Sequence, residues 1–123
     1  MKTIMIVDDS ATILMSMEGI LKKAGYLVEK AARADEALKK LQGGVRPDLI
    51  ITDLNMPGMT GIEMIREIRK IAAFKFKPIL MLTTESQEAK RMEAKSAGAT
   101  GWLVKPVKPE DLLAVVKQVV PGA

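Results

Sequence analysis

A chain of 123 residues, 48% of them hydrophobic, is the size of one domain with one core. It contains no cysteine and no histidine, which excludes disulfides, thiolate metal sites and imidazole as base, ligand or phosphoryl carrier; a metal would need oxygen ligands, as Mg2+, Mn2+ and Ca2+ do. The net charge of +4 is scattered rather than gathered in a block, which suits acidic protein surfaces at least as well as nucleic acid.

Neither a signal peptide nor a run of about 20 apolar residues is present. The expected location is cytoplasmic, with no membrane insertion. Short apolar runs alternate with stretches of helical period. The first strand is expected at residues 4–7, within the run Thr3, Ile4, Met5, Ile6, Val7. A first helix follows, with Ile13, Leu14, Met17, Ile20, Leu21 and Ala24 on one face and Gly25 as its stop. Residues 26–31 read as a second strand, and Glu29 and Lys30 place it at an edge. Ala34, Ala37, Leu38 and Leu41 mark a second helix, ended by Gly43 and Gly44.

The third strand, residues 49–52, runs into Asp53 and is stopped by Met56, Pro57 and Gly58. Thr60, Gly61, Ile62 and Glu63 form a capping-box pattern that opens a third helix carrying Ile62, Ile65 and Ile68. Residues 79–82 read as a fourth strand. A fourth helix, at residues 86–97, has a thin apolar face of Ala89, Met92 and Ala97, with Thr84 or Ser86 as its cap. Lys90, Arg91 and Lys95 read as its solvated side. Residues 101–104 are a fifth strand, short enough for the other edge. Pro109 suits the first turn of a fifth helix, with Glu110 and Asp111 at its positive dipole end. Leu112, Leu113, Val116, Val119 and Val120 form its inner face, and Pro121 and Gly122 end it.

Strand and helix in strict alternation imply an α/β fold: a parallel sheet covered by helices on both faces. The continuously apolar first, third and fourth strands belong at its centre. No linker, repeat or low-complexity segment interrupts the units, so one domain is expected over residues 1–123. Ligands in such sheets bind at the carboxyl ends of the strands.

Those ends carry Asp8 and Asp9 after the first strand, Asp53 after the third, Thr83 after the fourth and Lys105 after the fifth. If the first and third strands are neighbours, three carboxylates converge, and they repel one another unless a divalent cation joins them. Thr83 offers a hydroxyl and Lys105 a mobile ammonium, both suited to phosphoryl oxygens. A carboxylate such as Asp53 can be the nucleophile and form an acyl phosphate.

Four segments carry a family pattern: Val7 to Ser10, Thr52 to Gly61, Leu82 to Glu85, and Ala97 to Pro106. Each is weak singly; together, in this order, the chain resembles a receiver domain of the response-regulator family, nearest the single-domain chemotaxis regulators of the CheY type. The resemblance implies a doubly wound (βα)5, flavodoxin-like sandwich with strand order 2-1-3-4-5. It implies that Asp53 accepts phosphate from a histidine kinase of the chemotaxis type. Asp9, Asp53 and the main-chain carbonyl of Asn55 would bind Mg2+, for which Mn2+ can substitute, with Asp8 acting mainly through water. Thr83 and Lys105 would contact the phosphoryl group, and the Lys105–Pro106 bond would be cis. Asn55 and Glu85 would tune loss of the phosphate. Trp102 stands where the family often has a switch Tyr or Phe; by residue type alone, Trp102 is more often core.

On this reading the chain is a switch rather than an enzyme. It catalyses only its own phosphorylation and dephosphorylation, with a motor-switch protein as the leading target, a phosphatase as a further partner, and a monomeric state. Ending after the fifth helix, it would lack an effector domain. Three rivals remain. One is a phosphorelay intermediate or phosphate sink. A second is an aspartyl-phosphate hydrolase of the haloacid-dehalogenase type, whose Asp-x-Asp is here Asp53, Leu54, Asn55. The third is the receiver of a DNA-binding regulator.

Overall fold

The computed structural model describes residues 1–120 and 122. The strands are β1 Thr3–Val7, β2 Leu27–Ala31, β3 Leu49–Thr52, β4 Ile79–Thr83 and β5 Gly101–Val104. The helices are α1 Ala11–Lys23, α2 Ala34–Gln42, α3 Gly61–Arg69, α4 Glu88–Ala97 and α5 Pro109–Val119, with a 3-10 turn at Ala72–Phe74. All strand pairs are parallel, in the order β2-β1-β3-β4-β5. The expected doubly wound flavodoxin-like fold is therefore present.

Side chains alternate across each central strand. Ile4, Ile6, Leu49, Ile51, Leu80 and Leu82 meet Leu14, Met17 and Leu21 of α1 and Leu112 and Val116 of α5. Met5, Val7, Ile50, Ile79 and Met81 meet α2, α3 and Ala94 of α4 on the other face. Every residue of β3 is buried. Burying an aliphatic side chain of this size contributes roughly 1.5–3 kcal/mol, so Leu49, Ile50 and Ile51 anchor the strand that delivers Asp53. Leu54 and Met56, in the loop beyond, are also buried.

The α3 capping box forms as the sequence implies: Glu63 N–H donates to Thr60 Oγ1 at 3.1 Å, and Thr60 N–H to Glu63 Oε1 at 2.9 Å. The Thr60 N–H draws the Glu63 carboxyl below its ordinary pKa. Gly25 takes a positive φ of 99° just past α1, and Ala24, expected on the inner face, is exposed as its C-cap.

α4 departs most from the reading of the sequence. It begins at Glu88, and neither Thr84 nor Ser86 caps it; the N-cap is Gln87, with no side-chain cap. Its buried residue is Ala94, whereas Ala89 is exposed and Met92 is 58% exposed. A helix of alanines and one unbranched methionine carries little periodic signal. Its face is decided by what it packs against, and that is α3.

Arg69, at the end of α3, was not anticipated from sequence. Its Nη1 donates to Phe74 O at 2.7 Å and Lys77 O at 2.6 Å, and its Nη2 to Gly98 O at 2.6 Å. One guanidinium thus ties the turn before β4 to the C-cap of α4, and burial draws its pKa down. Among the described residues, no helix is long and apolar enough to cross a membrane. Pro121, expected to help end α5, lies outside the described residues.

Candidate functional site

β1 and β3 are neighbours with Val7 opposite Thr52, so the residues after them emerge side by side. Two hydrogen bonds extend the pairing past the strand ends: Asp8 N–H donates to Ala31 O at 3.2 Å, and Asp53 N–H to Val7 O at 3.0 Å. Asp8, Asp9 and Asp53 each present a carboxylate oxygen within 4.8 Å of the others. Asp8 is 4% exposed, Asp53 half-buried and Asp9 exposed.

Asp8 is gripped on both oxygens. Ser10 N–H donates to Oδ1 at 2.9 Å, and Lys105 Nζ lies 2.7 Å from Oδ2. Ser10 also caps α1 by accepting from Ile13 N–H at 3.3 Å. Lys105 arrives from beyond β5, its N–H donating to Thr83 O at 2.8 Å. Its ammonium lies 3.5 Å from Asp53 Oδ2 as well. The Lys105–Pro106 peptide is cis. Three carboxylates and one ammonium leave a formal charge of −2. All of the donors are hard oxygens, so the set fits a divalent cation of the Mg2+ class.

Thr83 is fully buried at the end of β4, where its Oγ1 accepts from Glu85 N–H at 3.3 Å. Glu85 accepts from Gln87 N–H at 3.3 Å, serving the approach to α4 in place of the expected caps. Asn55 is exposed in the β3–α3 loop, beside a cavity of about 240 Å3 lined also by Arg66, Lys90 and Glu93. Trp102 is half-buried on β5 and packs against the core layer of α2, α3 and α4. Its Nε1 is buried without a hydrogen-bond partner among the described residues. A cavity of about 350 Å3, lined by Arg91, Met92, Lys95 and Trp102, adjoins it.

Two residues of the site carry no titratable group and escaped the sequence reading as site residues. Thr52 Oγ1 donates to Asp53 O at 2.8 Å. Gly61 sits so close to that carbonyl that any Cβ would fall far inside van der Waals contact with Asp53 O. The sequence held a signal for the second only as a glycine in the first turn of a helix.

A model of the response regulator receiver domain matches residues 4–117. The chain belongs to that family. The structure of the chemotaxis protein CheY4 of Vibrio cholerae superposes with a TM-score of 0.93 at 50% identity, covering 97% of this chain and 98% of its own. Protein PilH of Pseudomonas aeruginosa is 34% identical over 122 residues, 99% of this chain and 100% of PilH. The transcriptional regulatory protein ResD of Bacillus subtilis is 39% identical over 115 residues, 93% of this chain but 46% of ResD. Receiver domains are signalling modules that work with histidine kinases and downstream targets, not enzymes in the ordinary sense.

Proposed function

We propose that the chain is a single-domain, chemotaxis-type response regulator whose Asp53 takes a phosphoryl group from a histidine kinase. The observation that carries this is Lys105 shared between Asp8 and Asp53, at 2.7 and 3.5 Å, inside a cluster of three carboxylates at the ends of the central strands. The chemotaxis assignment draws on CheY4, matched over 98% of its length. The single-domain assignment draws also on PilH, matched over 100% of its length.

Asp8, Asp9, Asp53 and the carbonyl of Asn55 are the groups that would hold Mg2+ or Mn2+. Bound there, the ion would supply positive charge that offsets the phosphoryl oxygens. An Asp53 carboxylate oxygen attacks phosphorus, the bond from phosphorus to the donor imidazole nitrogen breaks, and its electron pair leaves with the imidazole. Lys105 is positioned to exchange part of its contact with Asp8 for the new phosphoryl oxygens. Thr83 Oγ1 now accepts from Glu85 N–H, which leaves its O–H free to donate to a phosphoryl oxygen as the side chain turns toward Asp53. That turn loosens the β4–α4 connection, where α4 lacks a side-chain cap and buries only Ala94. Trp102, whose indole N–H lacks a partner among the described residues, follows. The surface of α4, β5 and α5 then changes its affinity for a partner, with a flagellar motor switch protein as the leading target.

The test is labelling with a small acyl-phosphate donor, with and without Mg2+, on the wild type and Asp53→Asn. Labelling is expected only for the wild type with Mg2+, and equal labelling of the variant would sink the assignment. Sustained phosphate release from small monoesters would point instead to a hydrolase. Capture of a histidine phosphotransfer protein, rather than a motor component, by the phosphorylated chain would point to a relay intermediate.

A further inference from the structure

We propose that Thr52 is a positioning residue for the phosphoacceptor, acting through the peptide plane between Asp53 and Leu54. The proposal rests on the reading of Asp53 as that acceptor. Thr52 is the last residue of β3, 1% exposed, on the strand face it shares with Ile50. A valine would suit such a place in a parallel strand, and a hydroxyl there is costly unless bonded. The hydroxyl is bonded, and its partner is specific: Asp53 O, at 2.8 Å.

That carbonyl and the N–H of Leu54 belong to one planar unit and point in opposite directions. The N–H donates to Asp53 Oδ1 at 2.8 Å. The hydroxyl therefore holds one end of a rigid plane whose other end holds the carboxylate. A carbonyl that accepts a hydrogen bond also makes its own N–H a stronger donor. Gly61 closes the remaining side: the first residue of α3 lies against the same carbonyl with no room for a Cβ, and its N–H donates to Leu54 O at 2.8 Å. With Oδ1 engaged by Leu54, Oδ2 is the oxygen left facing Lys105, at 3.5 Å. Thr52 thereby sets which carboxylate oxygen is occupied and which is presented.

Thr52→Val keeps the shape and removes the donor, whereas Thr52→Ser keeps the donor and removes a methyl. The experiment measures the rate of labelling by a small acyl phosphate with Mg2+ as donor concentration is varied. It also measures hydrogen exchange of the Leu54 amide by NMR without Mg2+ or donor. Loss of one ordinary hydrogen bond corresponds to roughly fivefold. Thr52→Val is expected to lower the maximal rate about fivefold with the half-saturating donor concentration unchanged, and to speed Leu54 exchange by a similar factor. Thr52→Ser is expected to stay within about twofold of wild type on both readouts. Wild-type rate and Leu54 exchange in Thr52→Val would overturn the proposal, and so would a Thr52→Ser as slow as Thr52→Val, since packing would then be the cause. An unlabelled wild type would refute the acceptor reading instead, and the Leu54 amide would still decide whether Thr52 holds the plane.

Discussion

Replacing glycine by alanine at positions 61 and 19 should move stability in opposite directions, although both lie in helices. Gly19 sits in α1 with none of the described residues within 4 Å of an added Cβ. There alanine gains its helix propensity, about 0.8–1.0 kcal/mol. Gly61 opens α3, where the added carbon meets backbone, Asp53 O, rather than a side chain that can swing away. Overpacking of this kind costs about 1–3 kcal/mol, and the propensity gain at a first turn offsets only part of it, leaving a loss of about 1–2 kcal/mol. At about 2.1 cal/mol/K per residue, a chain of 123 residues shifts its midpoint by about 4 °C per kcal/mol. Thermal unfolding followed by circular dichroism should therefore find Gly19→Ala about 3–4 °C higher and Gly61→Ala about 4–8 °C lower than the wild type. A Gly61→Ala variant that melts at or above the wild type would refute the steric argument, and with it the close seating of α3 on the loop after β3.

Three further outcomes are expected. Mg2+ should raise the melting temperature by relieving repulsion among Asp8, Asp9 and Asp53; at ten times its Kd the gain is about 1.4 kcal/mol, and calorimetry with Asp53→Asn should show a clearly smaller shift. Arg69→Met strips the carbonyls of Phe74, Lys77 and Gly98 of a charged donor, at a cost of about 2–4 kcal/mol in denaturant titrations. Arg69→Lys should recover little of that, because one ammonium cannot reproduce the fork. The Glu63 pKa is lowered in the folded state by its bond from Thr60 N–H. Its contribution is therefore present above the ordinary value of 4.5 and lost as pH falls through the lowered folded value. Glu63→Gln should flatten that part of an acid titration of stability, and an unchanged titration would remove the capping box from the account.

Much of the site was legible because of how a parallel sheet works. Strands that leave the sheet in one direction bring their following residues to one edge, so Asp8, Asp9, Asp53, Thr83 and Lys105 could be gathered from the ends of apolar runs. Thr60 and Glu63 were legible because a capping box is local, its two partners three positions apart. α4 was not, since its few alanines and one methionine leave the face to be chosen by α3. Arg69 was not, because its partners lie 5, 8 and 29 residues away and are carbonyls, which every residue has. Thr52 read as one more strand residue for the same reason: its partner is a backbone oxygen.

The alternating units, the apolar centre of the sheet and the inventory of chemistry at its carboxyl edge are written in the order of the residues. Period, caps and strand-end residues are properties of neighbours in the chain, and short-range physics reads them. Which oxygen meets which donor is settled by the packing of the whole fold. It joined Lys105 to Asp8 across 97 residues, set Gly61 against the carbonyl of Asp53, and left the Trp102 N–H without a partner among the described residues. Those distances depend on how the sheet and both helical layers pack at once, and no local pattern in the chain encodes that.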